Sequence, residues 1–213
     1  MTRNQPQPEP SPSPSPGPGP GPSGPATRFG DGQYIVGTDI APNRYYTNPS
    51  TGCYWERQSG FSGTLGDIIA NEFIFDDVAQ WIVQILPSDR GFETDSCGTW
   101  QLTAPQGMQT NVSAGMWRVG SQVTPGTYRA NVISGCYWER LRDFTGQLSG
   151  VIANDFVGTG GQQLVTIASS DLGFRTDSEC GTWIPLSSLD SVTTSGQPQS
   201  RAEIQANRER SRR

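Results

Sequence analysis

Apolar residues along this chain recur at alternate positions. In Trp81-Ile82-Val83-Gln84-Ile85-Leu86 and its later counterpart Gln163-Leu164-Val165-Thr166-Ile167-Ala168, the residues kept are Val83/Val165 and Ile85/Ile167. They stand two apart, on one face of a strand. Cys53-Tyr54-Trp55-Glu56-Arg57 likewise sends Cys, Trp and Arg to one face and Tyr and Glu to the other. The same reading predicts strands over 33–36, 44–47, 53–57, 67–69, 81–86, 91–94 and 99–102, with Gly, Pro, Asn or Asp in the intervals. Pro125-Gly126 suits the two central positions of a type II turn, Pro fixing φ and Gly accepting a positive one. No window carries a 3.6-residue apolar stripe of helical length. The expected fold class is all-β, as small antiparallel β-sandwiches or open barrels.

There are two of them, because one unit is written twice. Gly52-Cys53-Tyr54-Trp55-Glu56-Arg57 returns unchanged as Gly135-Cys136-Tyr137-Trp138-Glu139-Arg140, an offset of 83. Ile69-Ala70-Asn71 returns as Ile152-Ala153-Asn154, and Cys97-Gly98-Thr99-Trp100 as Cys180-Gly181-Thr182-Trp183. A one-residue deletion, later regained, sets Ser88-Asp89 against Ser170-Asp171. The expected organisation is a Pro/Ser/Gly-rich linker over 1–28, module 1 over 29–100, a joint over 101–115, module 2 over 116–186 and an Arg-rich disordered tail over 187–213. The first segment alternates Pro with Ser and Gly and has little to bury, so it reads as a semi-rigid polyproline spacer.

Composition removes most familiar chemistry. The chain has no His, all 15 of its basic residues are Arg, and its net charge is −5. Without His there is no Ser-His or Cys-His nucleophile system; without Lys there is no P-loop, Schiff base or Ser-Lys dyad. An acidic chain lacks the cationic footprint for nucleic acid, and no apolar run approaches the roughly 18 residues of a membrane span. Acids at matching positions, Glu56 with Glu139 and Asp89 with Asp171, keep a small hydrolase open as a remote alternative. The simpler expectation puts Glu56 and Arg57 in a cross-strand pair or a turn cap. Asp89 with Asp95, or Asp76 with Asp77, offer oxygens for calcium, but no Asp-x-Asp-x-Asp-Gly spacing accompanies them. No catalytic set, metal site or cofactor is expected.

Four cysteines allow three pairings. The duplication selects Cys53 with Cys97 and Cys136 with Cys180, each spanning 44 residues at equivalent places. A metal site would need paired Cys at short spacing or His partners, and neither exists. One disulfide per module, each contributing on the order of 4 kcal/mol through loop closure, suits small β domains and an oxidising compartment. The expected location is extracellular or cell-surface, although 1–28 contains no apolar core of a signal peptide.

The Tyr/Trp-x-Val-Gly openings (Tyr34 to Gly37, Trp117 to Gly120), the Pro-Gly-Thr-Tyr turn (Pro125 to Tyr128), Gly-Cys-Tyr-Trp-Glu-Arg, Ile-Ala-Asn and the closing Cys-Gly-Thr-Trp together resemble tandem modules of secreted proteins and lipoproteins of actinobacteria. Copy one departs at Pro42-Asn43-Arg44-Tyr45, where Asn replaces the turn glycine. The resemblance implies an extracytoplasmic location and brings no catalytic residues with it.

Aromatic residues remain as candidates for recognition. Trp55, Trp100, Trp138 and Trp183, near the cysteines, are expected in the cores. Tyr46, Phe75 and Trp81 stand where copy two has Arg129, Gly158 and Gln163, so they are expected to form an exposed binding patch, with packing between the modules as the plainer alternative. The function expected is non-enzymatic: binding or adhesion, to a protein or glycan at a bacterial cell envelope. A carbohydrate-binding accessory module is the alternative.

Overall fold

The computed structural model describes residues 24–188. The expected linker and tail fall, apart from 24–28 and 187–188, outside the described residues. Module 1 contains β1 (Arg28–Phe29), β2 (Gly32–Ile35), β3 (Arg44–Thr47), β4 (Cys53–Gln58), β5 (Ile68–Ile74), β6 (Trp81–Gln84), β7 (Gly91–Asp95) and β8 (Trp100–Gln101). Module 2 contains β9 (Gly115–Arg118), β10 (Gly126–Val132), β11 (Cys136–Leu141), β12 (Val151–Val157), β13 (Gly161–Ile167), β14 (Gly173–Thr176) and β15 (Ile184–Pro185).

Each module is a two-sheet antiparallel sandwich. In module 1 the sheets run β1-β8-β3-β6 and β2-β7-β4-β5; in module 2 they run β13-β10-β15 and β12-β11-β14-β9. The place of β1 is taken in module 2 by Val112, which bridges Trp183 as Phe29 pairs with Trp100, so the joint supplies a core residue. β5 is longer than its expected 67–69, because Asn71 and Glu72 continue as an edge of the sheet.

Alternation explains the duplicated motif. On β4 and β11 the inward residues are the half-cystine, the tryptophan and the arginine. The disulfides Cys53–Cys97 and Cys136–Cys180 both form. Phe92 lies edge-on to Trp100 at 5.6 Å and Phe174 edge-on to Trp183 at 5.7 Å, and the two indoles donate to Thr94 and Thr176. Trp55, Trp100 and Trp183 are buried, while Trp138 is partly exposed.

The arginines do not pair with Glu56 or Glu139, which point to the other face of the sheet. Arg57 makes a two-pronged ion pair with Asp89 (Nε and Nη2, both 2.7 Å), and Asp89 also accepts the Leu86 amide at 2.8 Å. Arg140 repeats this with Asp171 at 2.7 and 3.0 Å, and Asp171 accepts the Ala168 amide. The acids at 89 and 171 therefore staple a turn to the inner face of the sheet.

Two of the three residues expected at the surface are buried. Tyr46 is 4% exposed and Trp81 2% exposed; only Phe75, at 71%, is open to solvent. Tyr46 lies on the middle strand β3 between β6 and β8, within the apolar cluster that Ala104 of the joint packs against. Trp81 is covered by module 2.

Candidate functional site

The second module sits against an open side of the first. The free edge of β6 is taken up by backbone hydrogen bonds from Ala79 to Ala114, Met116 to Gln80 and Gln84 to Phe144. Met116, Leu141 and Phe144, module 2 by sequence, are part of module 1's core cluster. The Arg57 Nη1 donates to the Thr145 carbonyl at 2.6 Å, and Gly146 lies against the Trp55 ring, where an added Cβ would meet Cη2 at 2.5 Å. Gly146 has φ +74°, so a side chain there is excluded by conformation as well as by space. At the far end, Gln80 and Gln122 exchange side-chain amide bonds at 2.9 Å in both directions.

What docks is the outer face of β9, β14 and β11. Register sets Met116 beside Arg175 and Arg175 beside Glu139 across this sheet, with Asn154 next on β12. Arg175 crosses to module 1, where Nη2 and Nη1 reach Glu72 at 3.0 and 3.2 Å. Its guanidinium lies 4.9 Å from the centre of the Trp81 ring and 5.4 Å from that of Tyr137. Burial alone would lower its pKa, but Glu72, Glu139 and Asp177 more than offset this and hold it above the ordinary arginine value. The same crowding acts in reverse on Asp177. Burial, with Asp76, Glu179 and Glu72 nearby, outweighs the attraction of Arg175 and pushes its carboxyl up to about 6.

Between the modules remains a cavity of about 370 Å³. Trp55, Trp81 and Tyr137 contribute aromatic wall; Glu72, Glu139, Asp143 and Arg175 contribute charge. The indole N–H groups of Trp55 and Trp81 have no protein acceptor, which is unusual for buried donors. The Tyr137 hydroxyl donates to Glu139 and accepts from Asn154 at 3.0 Å; its pKa is pushed up to about 12, by burial first and then by the Glu139 carboxylate. Tyr54, Glu56 and Asn71 form the same triad on module 1. This gives the outward half of the Tyr-x-Glu and Ile-Ala-Asn repeats a shared structural purpose.

Of the sequence candidates, Trp81 and Trp55 meet at this cavity; Tyr46 does not line it, and Phe75 lies beside it, its ring tilted against that of Phe73 at 4.4 Å. Arg175, Tyr137 and Met116 were missed. For Arg175 and Met116 the signal lies in paired differences: outward Gln33, Gln58 and Glu93 of copy one become Met116, Leu141 and Arg175 in copy two, whereas Tyr137 is the same residue as Tyr54 and carries none. Among the described residues no helix is long and apolar enough to cross a membrane, and no cluster of three or more His, Cys, Asp or Glu side chains is arranged to hold a metal ion.

The family described as the Rv1352-like extracellular domain matches this sequence twice in tandem, over residues 26–101 and 108–184, and the chain therefore belongs to it. No curated protein and no solved structure is significantly similar to the chain.

Proposed function

With membership in a family of extracellular domains as the premise, we propose that the two modules form a non-enzymatic binding unit, displayed at a bacterial cell envelope behind a proline-rich spacer. Its ligand is of glycan type, taken in the cleft between the modules. The observation that carries this reading is the cavity of about 370 Å³ lined by Trp55, Trp81 and Tyr137 together with Asn71, Glu139 and Arg175. Its size falls within the ordinary range for small-ligand sites, and the carboxylates, amide and guanidinium set among the aromatic rings suit a ligand that carries hydroxyl groups. A non-enzymatic role is supported by the fate of the matched acids: Asp89 and Asp171 are held by arginines, and Glu56 and Glu139 accept from tyrosines.

The test is heteronuclear NMR of the full chain titrated with a panel of neutral, amino and acidic oligosaccharides. Binding in the cleft shifts the Trp55 and Trp81 indole N–H signals and leaves Trp100 and Trp183, which already have threonine acceptors, unmoved. Silence of the Trp55 and Trp81 signals with every member of the panel overturns the reading.

A further inference from the structure

The side of module 1 that receives module 2 has a counterpart on module 2 that receives nothing among the described residues. Position by position the two differ in cover. Ile82 is 1% exposed and its equivalent Leu164 is 55% exposed. The Arg57 side chain is 1% exposed and that of Arg140 22%. Trp55 is buried under Gly146, whereas Trp138 is partly open, its indole N–H without an acceptor. Arg57 spends Nη1 on a carbonyl of the docked loop; Arg140 uses Nε and Nη2 on Asp171, and among the described residues its Nη1 has no partner. β13 is the end strand of its sheet, as β6 is, but without the cross-module backbone bonds.

We propose that this β12–β13 side of module 2 is a docking site for a further module of the same family. The partner it fits presents an aromatic-Thr/Ser-Gly loop like Phe144-Thr145-Gly146, apolar residues at the places of Met116 and Leu141, and an arginine at the place of Arg175. The argument is continuity with the interface already built. The vacant site keeps the tryptophan, the arginine and the acid of the filled one, Asp155 standing where Glu72 stands. Its requirements are therefore those the filled site displays: a main-chain carbonyl for the guanidinium, a small residue over the indole, a cation for the acid.

The chain's own spare face does not meet them. Module 1 has the loop in the right form, with Phe61 resting on Gly91 as Phe144 rests on Gly173 and Gly63 at φ +75°. Yet its row across the sheet is Gln33, Glu93, Glu56 and Asn71. Head-to-tail contact between copies would set Glu93 and Glu56 against Asp155, a like-charge juxtaposition that discriminates against self-association. A solvated polar face at one end and an uncovered docking site at the other is how a terminal repeat caps an array. Module 1 thus caps the N-terminal end, and growth proceeds only from module 2.

The experiment uses the full chain as its own probe. Sedimentation velocity of the wild type, and of Gln33→Met/Gln58→Leu/Glu93→Arg, is measured over a range of concentrations, with disulfides and melting checked. The wild type stays at one chain mass, and the triple variant forms head-to-tail oligomers. Adding Leu164→Arg to the triple variant returns it to one chain mass. If the triple variant does not fold, Glu93→Arg alone, at a half-buried position on the outer face of β7, is read the same way at higher concentration. A folded variant that remains at one chain mass, or association that survives Leu164→Arg, overturns the site. Wild-type chains that oligomerise through Leu164 overturn the partner chemistry, since the charge mismatch would then carry no weight.

Discussion

Two sheet faces with one ancestry behave differently in this molecule. On module 2 the row Met116, Arg175, Glu139, Asn154 is packed against a neighbour; on module 1 the equivalent row Gln33, Glu93, Glu56, Asn71 is exposed at its two ends and covered only by its own side chains at Glu56. The backbones and the aromatic loops match, so the difference lies in a few side chains. Where Arg175 answers Glu139 and reaches Glu72, Glu93 opposes Glu56 directly, with Gln58 and Gln33 donating to Glu93 at 3.2 Å each. Docking is thus a property of residue choice on a common scaffold. Polar-to-apolar and acid-to-base exchanges on outward positions are enough to turn a solvated face into an interface.

The comparison can be broken by making equal substitutions in both copies. The largest asymmetry is expected at the aromatic loop. Phe144→Ala, at a residue 2% exposed, should cost about 3–5 kcal/mol by chemical denaturation. Phe61→Ala, at 53% exposed, should cost less than about 1 kcal/mol. Equal losses would show that the loop serves each module alone and not the docking. Next, Arg57→Met should cost about 3–5 kcal/mol, because it leaves Asp89 buried without its partner and removes the bond to Thr145. Arg140→Met leaves Asp171 in the same state but breaks no cross-module bond, and its cost should be the smaller of the two.

Arg175→Ala removes the cation from between Trp81 and Tyr137; a loss of about 1–3 kcal/mol with red-shifted tryptophan emission is expected, since water then reaches Trp81. The smallest effect concerns pH. The Asp177 carboxyl, near 6 in the folded chain against an ordinary 3.8, binds its proton more tightly when folded. Stability attributable to this group therefore rises as pH falls from 7 through 6 towards 4 and is lost again above 6. Asp177→Asn should raise the melting temperature at pH 7 and flatten that part of the profile. An unchanged profile would mean that Arg175 neutralises Asp177 fully.

Much of the fold was legible because two signals reinforced each other. Alternation located the strands, and duplication told which alternating residues matter. It also paired the cysteines without geometry. The cleft was not legible by the same logic. The difference between Trp81 and Gln163 reads as a mark of exposure, because a position tolerating Gln is not deep in a core. That inference holds for copies in equivalent surroundings. Here only one copy is covered, and the divergence records the covering. Tyr46, on the middle strand β3, is likewise buried in module 1's apolar cluster, although its counterpart is Arg129. The swap of Gly60/Asp67 for Asp143/Gly150 was equally hidden. In each loop a single carboxylate fills the space over the glycine, supplied from opposite ends. Only a structure shows that the two arrangements are one device.

The mutual amide pair of Gln80 and Gln122, 0% and 3% exposed, has its own consequence. It carries no charge, so neither acid nor high salt weakens it, whereas both act on the contacts of Arg175, the cross-strand neighbour of Met116, whose carbonyl Gln80 also holds. Acid and salt therefore act on the ionic contacts of the cleft and leave this amide pair in place.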